Sequence, residues 1–168
     1  MISRLLPVLL VAAVLLVAGC GNSTTTVTGS NGQATTQTHI AFAKTKFLLH
    51  AGLAFGAFHH YIYEPLKAGA FAHPLSHKLA LAKAALAAAF VIHELKIARM
   101  DAQASPLLSK LFSPLTAVAG SLVAVGASLK SDIANSSAIQ SVNGAIDGIK
   151  STASSAGAAI TETTPPLP

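Results

Sequence analysis

The chain has 168 residues, of which 52% are hydrophobic and only 10% charged, with a formal net charge of +5. That length suits one modest domain. A single cysteine excludes a disulfide framework and a C-x-x-C-H haem attachment, and the positive charge comes with no nucleic-acid-binding motif.

In chain order, Arg4 supplies a short positive region and Leu5 to Ala18 form an apolar stretch too short to span a bilayer comfortably. Val17-Ala18-Gly19-Cys20 then places small residues before the lone cysteine. This resembles the lipobox of bacterial lipoproteins, over roughly the first twenty residues. The resemblance implies that the Cys20 thiol is alkylated by diacylglycerol and that signal peptidase II removes residues 1–19. The mature chain would then be extracytoplasmic and tethered to the cell membrane. Lipidation would consume the thiol, leaving no cysteine nucleophile, and a diacyl group anchors stably without a transmembrane helix.

Residues 20–38 carry the lipidation site and the run GNSTTTVTGSNGQATTQT. With almost no large apolar residue and no charge, this run is expected to be a disordered, flexible tether spanning roughly 25 Å.

Residues 39–160 read as a helical domain. Phe47, Ala51, Phe55, Phe58 and Ile62 recur at spacings of three and four, the stripe of a first helix. Gly52 and Gly56, four apart, would permit a close helix–helix approach. Pro65 predicts that this helix ends near Glu64. A second helix is expected from Pro74 to about Ala102. Its apolar stripe is Leu75, Leu79, Ala82, Leu86, Ala89, His93, Ile97 and Met100, with lysines off the stripe.

Ser105-Pro106 and Ser113-Pro114 each pair a cap residue with a first-turn proline, predicting a short turn and then a longer helix. That helix has the register Leu108, Leu111, Leu115, Val118, Leu122, Val125, Leu129. A fourth segment repeats it with Ile139, Val142, Ile146, Ile149, Ala153, Ala156 and Ile160, although its serines and glycines make it a weak helix on propensity alone. Residues 161–168 read as a disordered proline-rich tail. Four amphipathic segments without strand-like alternation predict an all-α antiparallel bundle of about four helices. Leu111 to Leu129 is uncharged between Lys110 and Lys130, so membrane insertion of this segment is a competing architecture.

The chain has no G-x-S-x-G elbow and no S-x-x-K pair. Residues 144–151, GAIDGIKS, miss the P-loop spacing by one position, and His93-Glu94 lacks the second zincin histidine because Ile97 stands there. A non-enzymatic role is therefore expected. The histidines are the remaining chemistry. His59, His60, His73 and His77 flank the first helix–helix connection, a residue supply that suits zinc or copper. His50 and His93 would meet as a buried pair when the two helices fold back on each other. Eight basic residues between Lys44 and Lys110 face only Glu64, Glu94 and Asp101. Partners beyond the membrane that holds the anchor would then be another envelope protein or an anionic surface, and no nucleic acid. The chain is also similar to alanine-rich bacterial lipoproteins, a likeness that implies no activity.

Overall fold

A computed structural model describes residues 23–28, 34–39, 42–72, 78–131 and 133–167, the first two stretches as backbone only. The helical domain is all-α. It comprises α1 (Ala43–Phe58), which runs through a π-helical turn (His59–Tyr63) into α2 (Glu64–Lys67), then α3 (Lys78–Gln103), α4 (Phe112–Lys130) and α5 (Ser136–Ser155). A short 3₁₀ turn (Ser109–Leu111) leads into α4.

α1 and α3 run antiparallel, as do α3 and α4. His50 on α1 meets Glu94 on α3 while Lys46 lies near Asp101, and on α4 Phe112 meets Arg99 while Gly126 approaches Ala88. α3 is the central element, packed against α1 on one side and α4 on the other, while α5 lies against α4 and the π turn. The apolar stripes of α1 and α4 fall where their spacing places them. Phe47, Phe55, Phe58 and Ile62 are fully buried, as are Leu108, Leu115 and Leu122. Burying each such side chain contributes about 1.5–3 kcal/mol. The segment Ser109–Lys130 is long and apolar enough to cross a membrane, and here the bundle covers its leucine stripe.

α3 departs from the expected register. Leu79, Leu86, His93 and Met100 face outward, and the inward face is Leu81, Ala84, Ala88, Val91, Leu95 and Ala98. A helix between two neighbours buries its small residues, because alanine lets both partners approach closely. The α3–α4 crossing shows this: a Cβ on Gly126 would stand 3.3 Å from the Ala88 Cβ.

Pro65 does not end the first helix. It sits in the first turn of α2, just after the π turn in which the Glu64 N–H donates to the His59 carbonyl five residues back. The wider turn relieves the clash a proline ring makes with the preceding turn of a regular helix.

Two segments read from the sequence as a tether and a tail contain described structure. Ser23–Thr28 pairs with Ala34–His39 as an antiparallel ribbon, with Thr26 opposite Thr36 and Val27 opposite Thr35. Its threonines are β-branched strand formers. The second is the C-terminal tail. α5 ends in a Schellman turn in which Ala158 N–H donates to the Ala153 carbonyl (2.8 Å) and Gly157 N–H to Ser154 (2.9 Å). Gly157 takes a φ of 69°, a left-handed conformation that costs a residue with a Cβ more. The chain then returns as a strap across α1, burying Ala158 and Ile160.

The strap explains Gly52 and Gly56. The close partner they admit is not a helix but extended backbone: Thr163 N–H donates to the Gly52 carbonyl at 3.0 Å. A Cβ on Gly52 would collide with the Thr161 carbonyl, and one on Gly56 with the backbone of Thr163. Gly56→Ala should therefore destabilise by about 1–3 kcal/mol and lower the thermal midpoint by several degrees. Gly120→Ala, at an open mid-helix position, should instead stabilise by about 0.5–1 kcal/mol. Thermal unfolding followed by circular dichroism checks both signs.

Candidate functional site

The π turn places the side chains of His59 and Tyr61 against α5 and the strap. His59 Nδ1 is hydrogen-bonded to Glu162 Oε2 (2.5 Å), and its Nε2 lies 2.7 Å from Asn143 Oδ1. The second Glu162 oxygen accepts from Lys150 Nζ at 2.5 Å, and Asn143 Nδ2 donates to Asp147 Oδ2 at 3.1 Å. Tyr61 completes the clasp: its hydroxyl donates to the Pro165 carbonyl (2.9 Å) and accepts from Leu167 N–H (3.2 Å). These side chains join the π turn to α5 and the strap, whose bonded residues lie 84 to 106 residues later in the chain. Burial pushes the Glu162 carboxyl up, but the hydrogen bonds and charges of Lys150 and His59 outweigh it and hold the group below its ordinary value.

A second polar cluster lies between α1 and α3. His50 Nδ1 and Glu94 Oε2 are 2.7 Å apart, with Glu94 only 7% exposed. Asp101, two turns further along α3, is 3% exposed, and its Oδ2 has no hydrogen-bond partner among the described residues. Burial raises the Asp101 carboxyl above its ordinary value, although the nearby positive charge of His50 and Lys46 partly offsets this.

The residues singled out from sequence fare differently. Cys20, His73 and His77 lie outside the described residues. His59 is a clasp residue with both ring nitrogens already bonded to protein, so a metal would have to displace Glu162 or Asn143. His60 is exposed, 4.0 Å from Glu64. No group of three histidine, cysteine or acidic side chains suited to a metal occurs among the described residues. His50 is half-buried, and its partner is Glu94 rather than His93. His93 is exposed, because one residue along a helix turns the side chain by about 100° and it is Glu94 that points inward. Glu162, Lys150 and Asn143 were not anticipated. The one available signal was Glu162 itself, the sole charged residue in the proline- and threonine-rich C-terminal run.

A histidine oriented by a carboxylate is half of a general-base arrangement. Here the second ring nitrogen meets an asparagine oxygen rather than a hydroxyl or thiol, so the geometry serves to fasten the strap. Comparison with protein-family models, with curated proteins and with solved structures finds no match to this chain.

The two carboxyls act on stability with opposite sign. Glu162, lowered, contributes stability that is present above the unfolded carboxylate range near 4.5 and lost as pH falls through its folded value. Glu162→Gln should therefore destabilise at neutral pH, with the difference vanishing in acid. Asp101, raised, favours folding when protonated and costs stability as pH rises from 3.8 through its folded value. Asp101→Asn should accordingly raise the midpoint at neutral pH. Urea denaturation of the three proteins across pH 3–7 reads both effects.

Proposed function

We propose that this chain is a lipid-anchored cell-envelope protein whose helical domain acts by contact rather than by catalysis. The observation that carries the reading is the position of Cys20, the only cysteine, directly after the apolar run and behind small residues. A thiol there is the one group able to take the lipid.

The surface of the domain agrees with such a setting. Of the three acids between Lys44 and Lys110, Glu94 and Asp101 are buried, which leaves Glu64 as the exposed anion. The lysines at 44, 46, 67, 78, 83, 96 and 110 are all exposed. This half of the molecule presents a cationic surface, suited to anionic headgroups or acidic wall polymers.

Mass spectrometry of the protein recovered from the membranes of bacterial cells expressing it tests the anchor. An N-terminal peptide beginning at Cys20 and carrying a diacylglyceryl modification is expected, and Cys20→Ser should abolish it. An unmodified Cys20, or a mature chain beginning elsewhere, would contradict the proposal.

A further inference from the structure

α3 is apolar on two opposite sides, and among the described residues only the alanine-rich side is covered, by α1 and α4. The outer side carries Leu79, Leu86, His93 and Met100, spaced seven apart. Leu79 is 72% exposed, Leu86 44% and Met100 45%. Exposed Ala82 and Ala89 fill the intervals. A seven-residue step drifts by only about 20° on an α-helix, so these residues form a nearly straight line roughly 30 Å long.

The charges around this line are ordered. Lys78 and Lys96 lie on one flank and Lys83 on the other, each roughly 60–80° from it at 100° per residue, and all three are exposed. The acids of the same helix, Glu94 and Asp101, are turned into the bundle. The outer half of α3 therefore pairs an apolar centre with cationic edges and carries no anion.

A soluble amphipathic helix puts polar residues where α3 puts Leu79, Leu86 and Met100. A partner for such a face must accept apolar side chains along the middle and positive charge along both margins. A second copy of this chain fits poorly. Pairing two α3 lines would set lysine flanks against lysine flanks, with no glutamate at the margins to form interhelical pairs. An anionic bilayer fits on both counts. The leucines and the methionine enter the boundary between headgroups and acyl chains, while the lysine stems lie along the apolar surface with their ammonium groups at the phosphates.

We propose that the outer face of α3 docks on an anionic lipid surface, with the helix lying in the plane of the interface. The proposal rests on the envelope reading for its setting, and its test separates the two. The protein used is the chain from residue 20 with Cys20→Ser, which keeps every described residue and has no lipid of its own. It is sedimented with phosphatidylcholine vesicles, with and without one third phosphatidylglycerol, at low and high salt.

Binding to the phosphatidylglycerol vesicles is expected, weakened by salt and lost on phosphatidylcholine alone. Leu79→Ser/Leu86→Ser/Met100→Ser should weaken it about tenfold or more while the circular dichroism spectrum remains that of the folded helical protein, since none of these side chains belongs to the buried core. Lys78→Gln/Lys83→Gln/Lys96→Gln should weaken it at low salt by a comparable factor, and Lys130→Ala, on α4, should not. Failure of the parent to bind, or equal binding by the triple serine variant and the parent, would overturn the proposal. So would a dimer in analytical ultracentrifugation that the serine variant dissociates, which would assign the face to a second copy. Vesicle binding combined with an unacylated Cys20 in the native protein would support α3 docking and overturn only the anchor. Acylated Cys20 without vesicle binding would do the reverse.

Discussion

The helical domain depends on how closely backbone can approach α1. Gly52 and Gly56 leave a shallow channel along that helix, and the C-terminal strap occupies it with a hydrogen bond from Thr163 to the Gly52 carbonyl. Everything after α5 is organised by this contact. The Gly157 turn aims the chain at the channel, Ile160 and Ala158 add buried apolar surface, and the side chains of His59 and Tyr61 hold the segment that follows. The π turn is part of the same arrangement, since it carries both residues and lets Pro65 continue the helix. Close approach recurs on the other side of the bundle, where alanines on α3 face α1 and α4.

This reliance on small residues decides what could be read from the sequence. α1 and α4 were legible because each presents one stripe of large side chains, and a period near 3.6 in Phe, Leu and Val is unambiguous. α3 misled for the opposite reason. It is apolar on two sides, and the larger side chains draw the eye to Leu79, Leu86 and Met100, whereas a helix with two neighbours buries its alanines. That error of face also misplaced His93 and concealed Glu94 as the partner of His50. The tail was illegible because its order comes from long-range contacts rather than local propensity. Pro165 and Pro166 have restricted φ, which lowers the entropy lost on ordering, and the part-buried hydroxyl and imidazole partners lie about a hundred residues earlier in the chain. In the ribbon, the low apolar content outweighed a signal that was present, the β-branched threonines of both strands.

Of the histidines singled out from sequence, His59 has a packing role among the described residues. His59 belongs to a polar network that joins the π turn, α5 and the strap, and both of its ring nitrogens are engaged there. Such a network is favourable only when each member is satisfied, and Glu162 meets that condition through Lys150 and His59 together. Asp101 does not, since its buried Oδ2, like Arg99 Nε, has no hydrogen-bond partner among the described residues. Turning both α3 acids inward has a consequence at the surface, because it leaves the cations of the α1–α3 half nearly unopposed. The internal polar clusters and the external charge are thus two aspects of one choice of face.

The closure of the strap on α1 is the claim from which the rest follows, and hydrogen exchange of the folded protein tests it most directly. The Thr163 and Leu167 amides bond to Gly52 and Tyr61, so they should be protected well above the rates of an unstructured peptide, with Thr163 comparable to neighbouring α1 amides. Exchange of both at free-peptide rates would contradict the account, for it would mean that the Gly52–Gly56 channel has some other occupant or none.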